Sequence, residues 1–339
     1  MGKKGILLVN LGTPDSPQTK DVRNYLDQFL MDDRVIDINP IGRNFLVRGI
    51  IIPKRAKNSA NIYKEIWTEE GSPLLVYGKS MQKLIAERLG EDYHVELAMR
   101  YQNPSLEEAL AKMQKLNLDS IKVVALFPQY ASATTGSIHQ MVMEIVSQWQ
   151  IIPPIQLVNN FCDHPGMAKV FAENARKHLE TGKWDHILFS FHGVPQRQMK
   201  KADVSKKFCL QVSDCCKTYV EENKFCYTAQ CYQTAKTIAK EMGLAEEQYT
   251  LCFQSRLGKE PWMQPYTSTV LKELAEKGCK RLLVLSPAFV ADCIETIYEI
   301  GVEYQEEFHS YGGEKVQMVD SLNDSPGWID ALEDIILSY

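Results

Sequence analysis

The sequence predicts an α/β protein of two similar domains, and three observations carry that prediction. Strand-length apolar runs alternate with amphipathic segments of helical length along the whole chain, the pattern of parallel sheets covered by helices on both faces. The chain also resembles itself. Ile6-Leu7-Leu8-Val9-Asn10-Leu11-Gly12-Thr13-Pro14 is echoed by Ile187-Leu188-Phe189-Ser190-Phe191-His192-Gly193-Val194-Pro195, and Val123-Val124-Ala125-Leu126-Phe127-Pro128 by Leu282-Leu283-Val284-Leu285-Ser286-Pro287. Finally, His192 stands where an apolar run turns into a loop, with Gly193 and Pro195 beyond it. In open α/β sheets that is where ligands bind, and imidazole titrates near neutral pH.

In chain order, strands are expected at 6–11, 94–99, 121–127, 186–191, 249–253 and 281–285. Helical periodicity falls at 22–29, 80–89, 106–113, 138–149, 167–179, 233–242, 267–276 and 294–307. The turn Asp163-His164-Pro165 divides the repeats, giving an N-terminal domain over 1–163 and a C-terminal domain over 164–325. A cleft between two such domains is a default place for a ligand.

Composition narrows the function classes. Apolar residues make up 45% of the 339 and charged residues 24%, the proportions of a globular domain protein. A net charge of −5 leaves no electrostatic footprint for nucleic acid. No signal peptide or membrane-spanning run is expected, which makes the cytoplasm the default compartment. Nine cysteines without a secretion signal point to thiols or metal ligands rather than to a disulfide framework.

Three stretches carry chemistry. Glu295, Glu299 and Glu303 recur every four residues after Asp292-Cys293. On an α-helix they form one acidic row, at a cost of ~0.2–0.5 kcal/mol per like-charged pair. Such a row binds a hard cation, passes protons, or is a solvated face, with Ile294, Ile297 and Ile300 turned to the core. Residues 40–56 combine the apolar run Phe45-Leu46-Val47 and Ile50-Ile51-Ile52 with Arg43, Arg48, Lys54 and Arg55. That mixture suits an anionic membrane surface, the mouth of an apolar site, or a buried segment. Over residues 205–231, Cys209, Cys215, Cys216, Cys226 and Cys231 cluster in Lys-rich sequence without strand character. They read as an iron–sulfur or zinc site, with unliganded thiols as the plain alternative.

With these stretches in view, the chain resembles the ferrochelatases. The motifs are Asn10-Leu11-Gly12-Thr13-Pro14, Gly71-Ser72-Pro73, Arg100-Tyr101, Pro128-Gln129-Tyr130 with Thr134-Thr135-Gly136, Ser190-Phe191-His192-Gly193, Phe253-Gln254-Ser255-Arg256, Pro261-Trp262 and Asp292 to Glu303. The resemblance implies two Rossmann-like domains with parallel four-stranded sheets around a porphyrin cleft. It also implies a closing helix over 326–339 that joins the N-terminal domain. Its activity would be insertion of Fe2+ into protoporphyrin IX, the terminal step of haem synthesis. Coproporphyrin or another metal is the nearest alternative, and a non-enzymatic iron–sulfur or tetrapyrrole-binding protein the distant one.

Residue by residue, the resemblance makes His192 the active-site histidine and Glu295 the carboxylate opposite it. His192 is expected to accept pyrrole protons or to ligate the incoming iron, and Glu299 and Glu303 to extend a proton or metal path. Leu11, Tyr130, Trp262 and Phe289 would clamp the macrocycle, and Arg100, Ser132 and Ser255 would meet its polar edge. Cys293 stands where many members of the family carry histidine, so that histidine's roles do not transfer. The lip at 40–56 would load porphyrin from a peripheral membrane surface. The cysteine-rich insertion resembles bacterial members with an internal 2Fe–2S cluster, with Cys209, Cys216, Cys226 and Cys231 as ligands and Cys215 as the alternative to Cys216. A cluster site on a C-terminal tail is expected to be absent, since no cysteine follows Cys293. Monomer and homodimer stay open.

Overall fold

The computed structural model describes residues 2–256, 258 and 260–338. The chain divides into two compact units. One holds the chain up to Phe127, Ala131–Asn160 and the chain from Ile329 onward; the other holds Pro128–Tyr130 and Phe161–Trp328. The last helix runs Pro326–Ser338; Tyr339, the end of the expected 326–339 segment, lies outside the described residues.

The first unit is built on β1 (Lys4–Gly12), β2 (Tyr93–Tyr101), β3 (Ser120–Ala125) and β4 (Ile155–Val158), all parallel in the order β2-β1-β3-β4. β1 is central, and Leu7, Leu8 and Val9 are completely buried. Leu7, Val9, Leu110, Val123, Ile138 and Val142 pack together on one face, each burial worth ~1.5–3 kcal/mol. The second unit repeats the scheme with β5 (His186–His192), β6 (Tyr249–Gln254), β7 (Arg281–Leu285) and β8 (Lys315–Met318), ordered β6-β5-β7-β8. In each sheet the strand order reverses beside the first strand, so loops at its carboxyl end open a crevice for ligands.

The internal echo has a backbone reason. Gly12 has φ +125°, and a Cβ there would lie 2.1 Å from the Tyr101 carbonyl of the neighbouring strand. At the matching place in the second sheet, a Cβ on Gly193 would lie 2.8 Å from the Gln254 carbonyl, which accepts the Gly193 N–H at 2.8 Å. Only glycine lets the first strand's end close on its neighbour in both units.

Three elements differ from expectation. The acidic segment is a π-helix over Ile294–Tyr304, followed by a short α-helix over Gln305–Ser310. Its i→i+5 ladder widens each turn, and such helices recur at functional sites. The apolar stretch at 45–55 is also helical: a π-turn over Phe45–Ile51 runs into an α-helix over Ile52–Ile66. Val47 and Ile52 in it are buried, while Phe45 and the preceding Ile41 are 71% and 85% exposed. The helix expected at 233–242 starts at Tyr227, because its first turn buries Tyr227, Thr228 and Cys231. β4 and β8, four residues each, are too short to show a period.

Candidate active site

In the second unit the carboxyl ends of β5 and β6 meet. His192 is registered directly against Gln254. The His192 ring lies 6.5 Å from the rings of both Trp262 and Phe289. Its Nδ1 is 2.7 Å from the Gly193 carbonyl, an acceptor only, so Nδ1 is the donor and Nε2 is the nitrogen turned away from that carbonyl. The Trp262 indole N–H is buried and meets no hydrogen-bond partner among the described residues.

Gln254 organises this corner. It is 1% exposed; its side-chain oxygen accepts from Ser190 Oγ at 2.8 Å and Ser286 Oγ at 3.3 Å. Its amide nitrogen donates to the Glu295 carbonyl at 2.9 Å and to Glu299 Oε2 at 3.0 Å. One side chain thus joins the histidine strand, the next strand and the π-helix. Glu299 also accepts from Ser255 Oγ at 2.5 Å and from Tyr304 OH at 3.0 Å. Ser255 holds φ +64° to reach it, a conformation that a non-glycine residue adopts only where its surroundings enforce it. Burial, then the Glu299 charge, pushes the Tyr304 phenol well above its ordinary value.

Glu295 is tuned differently. Desolvation raises its carboxyl above the ordinary value, opposed by the Cys293 thiol and the His192 charge, with Glu299 adding to the rise. Cys293, 6% exposed, is itself pushed well up by burial and by Glu295. The thiol is therefore a protonated neighbour of the carboxyl. Asp292 closes the turn before the π-helix, accepting from Thr296 Oγ1 at 2.9 Å and Asn323 Nδ2 at 2.7 Å. Glu303 is exposed on the same π-helix.

In the first unit, Arg100 is committed within the protein. Its Nη2 donates to Asp32 Oδ2 at 2.8 Å and its Nε to Ser137 Oγ at 2.7 Å. Asp32 also accepts from Ser137 Oγ at 2.5 Å, Tyr101 OH at 2.8 Å and the Arg34 backbone N–H at 2.7 Å. Burial alone would raise this carboxyl, but those donors, Ser137 foremost, and the Arg100 charge leave it below its ordinary value. Ser132 accepts from Arg34 Nη1 at 3.0 Å, and Arg34 Nε donates to Gln140 Oε1 at 2.6 Å. Leu11, half-buried at the end of β1, has its N–H bonded to Asn10 Oδ1 at 2.8 Å, while the buried Asn10 Nδ2 has no partner.

Among the expected residues, His192, Ser255, Trp262, Phe289, Cys293, Glu295 and Glu299 are therefore brought together in the second unit. Tyr130 belongs to that unit as well, with its N–H on Gln230 Oε1 at 2.6 Å. Two expected porphyrin contacts turn out to have internal partners: Ser255 serves Glu299, and Arg100 serves Asp32. Sequence reasoning passed over Gln254, Tyr304, Asp32 and Arg34. Gln254 stood inside a quoted motif, and its uncharged type concealed its role.

All nine cysteines carry free thiols. Cys209, Cys215, Cys216 and Cys226 line one pocket of about 400 Å³. Cys231 is completely buried and is not among its lining residues. Sγ of Cys216 lies 3.6 Å from that of Cys215 and 4.0 Å from that of Cys226. Two thiolates on one tetrahedral ion with ~2.3 Å bonds sit ~3.8 Å apart, so these spacings suit shared ligation. Among the described residues, however, no group of three or more His, Cys, Asp or Glu is already arranged to hold a metal ion.

The architecture places the chain among chelatase-type folds. It superposes on SirB from Bacillus subtilis, solved with Fe3+, with a TM-score of 0.53 at 11% identity over 98% of this chain and 94% of that one. It superposes on CbiX, described as the terminal enzyme of sirohaem biosynthesis in denitrifying bacteria, with a TM-score of 0.50 at 11% identity over 98% of each chain. Sequence likeness is more particular. The ferrochelatase family model matches residues 3–339. Curated ferrochelatases from Legionella pneumophila and Bdellovibrio bacteriovorus are each 40% identical, over 98% and 100% of both chains respectively. The Coxiella burnetii ferrochelatase is also 40% identical, over 97% of this chain and 92% of its own. The chain belongs to the ferrochelatase family, the lyases that insert iron into a porphyrin in haem synthesis.

Proposed function

We propose that the chain inserts Fe2+ into protoporphyrin IX with His192 as the proton acceptor. The observation that supports this assignment best is the Nδ1–Gly193 hydrogen bond, which turns the basic Nε2 away from the backbone. Insertion replaces two pyrrole N–H bonds by bonds to iron, so two protons must leave. His192 takes them in turn and passes them to Glu295, whose raised affinity for protons suits a receiver. Glu299 and Glu303 extend the route along the π-helix. Trp262 and Phe289 flank the imidazole and, with Tyr130 of the same unit, grip the macrocycle so that its nitrogen lone pairs turn toward the metal. Arg100 contributes through Asp32 and Ser137, which hold its guanidinium in place.

Protoporphyrin, rather than a more carboxylated tetrapyrrole, fits the apolar lip. Phe45 and Ile41 project from a segment carrying Arg43 and Lys54, and no helix among the described residues is long and apolar enough to cross a membrane. Peripheral docking on anionic lipid would deliver the poorly soluble substrate there. The thiol pocket is proposed to hold a 2Fe–2S cluster through Cys209, Cys215, Cys216 and Cys226, with Cys215 in place of the expected Cys231. When bound, such a cluster supplies one-electron chemistry and a rigid crosslink between the loop and the helix that follows.

Fe2+ insertion measured side by side with protoporphyrin and coproporphyrin, in the wild type and in His192→Ala, tests the reading. Preference for protoporphyrin and loss of turnover in the variant are expected. Normal turnover by the variant would sink it.

A further inference from the structure

The thiol pocket and the catalytic histidine are served by neighbouring residues of one helical turn. Cys226 caps the helix Tyr227–Met242, and its thiol lines the pocket. The next residue, Tyr227, is 5% exposed and donates its hydroxyl to the His192 carbonyl at 2.8 Å. That carbonyl belongs to the peptide leading into Gly193, whose own carbonyl fixes the imidazole through Nδ1. On the same turn, Gln230 accepts the Tyr130 N–H at 2.6 Å and donates to the Lys224 carbonyl at 2.7 Å. The thiol loop is tied to this turn from the other side. Asn223 donates to the Cys215 and Thr218 carbonyls at 2.8 and 2.7 Å, and its own carbonyl accepts the Cys226 N–H at 2.8 Å.

From these contacts we infer that Tyr227 is a positioning residue for His192 and that the state of the four-thiol pocket reaches the imidazole through it. The inference rests on the reading of His192 as the proton acceptor. Its physical basis is a short chain of directional bonds. Cys226 is at once a pocket thiol and the cap of the helix, so any shift of its thiol toward a bound thiophilic ion bears on that cap. The cap cannot move without tilting the rigid phenol beside it, and the phenol holds the carbonyl on which the His192–Gly193 peptide is set. A single hydroxyl–carbonyl bond contributes little to overall stability, so the coupling tunes the histidine's orientation and leaves the fold intact.

The test uses the full-length protein, Cd2+ alone as the thiophilic probe, and the imidazole NMR resonances of His192, assigned by their loss in His192→Ala. In the wild type, one equivalent of Cd2+ should produce thiolate charge-transfer absorption and shift the His192 resonances together. In Cys226→Ser the shift should vanish, which separates pocket binding from Cd2+ on the imidazole itself. In Tyr227→Phe the thiolate band should remain while the His192 shift falls at least fivefold, and turnover should fall severalfold with the porphyrin KM unchanged. An undiminished shift in Tyr227→Phe, a shift that survives in Cys226→Ser, or a wild-type thiolate band with no His192 shift would each overturn the coupling. Absence of any thiolate band would overturn the pocket's part in it. Because the readout is a resonance and not turnover, the coupling can fail while His192 remains the proton acceptor. Conversely, normal turnover by His192→Ala would remove the catalytic reading without touching the coupling.

Discussion

Each unit brings a buried carboxyl near the carboxyl end of its sheet, and the two are treated in opposite ways. Asp32 in the first unit has an arginine and three hydroxyl or amide donors upon it, and its affinity for protons is lowered. Glu295 in the second unit has a thiol and an imidazole near it, and its affinity for protons is raised. The same strand–glycine–loop frame therefore produces a closed ion pair in one half and, in the other, a carboxyl biased toward its protonated form beside an imidazole. What differs is the supply of fixed positive charge. A carboxylate satisfied by Arg100 is held ionised, whereas a desolvated carboxyl without such a partner is a candidate to take up a proton.

That contrast can be broken from either side. The largest effect should come from His192→Ala, which removes the base and should lower kcat/KM about 10²–10⁴-fold while thermal unfolding shifts little; steady-state insertion assays with melting curves check it. Next, Gln254→Ala leaves two buried hydroxyls and Glu299 short of partners and should cost about 3 kcal/mol of stability, measured by urea unfolding.

Asp32→Asn should destabilise by roughly 2–3 kcal/mol at neutral pH, because the partly buried Arg100 charge loses its partner. The sign of its pH dependence follows from the lowered native pKa. The wild-type contribution is complete above the ordinary carboxyl value of 3.8 and is lost as pH falls through the native value. The gap between variant and wild type should therefore shrink only in strong acid, which melts recorded from pH 7 downward would show. The smallest effect belongs to Glu303→Gln. At an exposed position it should change stability by no more than about 0.5 kcal/mol and slow turnover less than Glu295→Gln does.

Legibility in the sequence followed the length of the signal. The six longer strands were readable because their apolar runs are buried on both faces, and β4 and β8 were not, having four residues each. The candidate site was legible where it used distinctive chemistry, as at His192 and Glu295. It was illegible where it used ordinary amides and hydroxyls whose partners lie on other strands, as at Gln254, which joins Ser190, 64 residues away, to Glu299. The π-helix was hidden for another reason. Glutamates spaced by four fit an α-helical row as well, and nothing in Ile294–Tyr304 marks the wider ladder. For the thiols, spacing identified a cluster of five, of which four line one pocket while Cys231 is buried in the helix that follows.

On the proposed function, the second unit's corner depends on His192 as the acceptor of pyrrole protons. Rescue of His192→Ala by a series of added bases tests it most directly. If His192 accepts pyrrole protons, the rescued rate should rise with the pKa of the base, and hindered amines that bind metal poorly should follow the same line as imidazoles. Rescue confined to metal-coordinating imidazoles, with no dependence on basicity, would contradict the account and make His192 a ligand for the incoming iron.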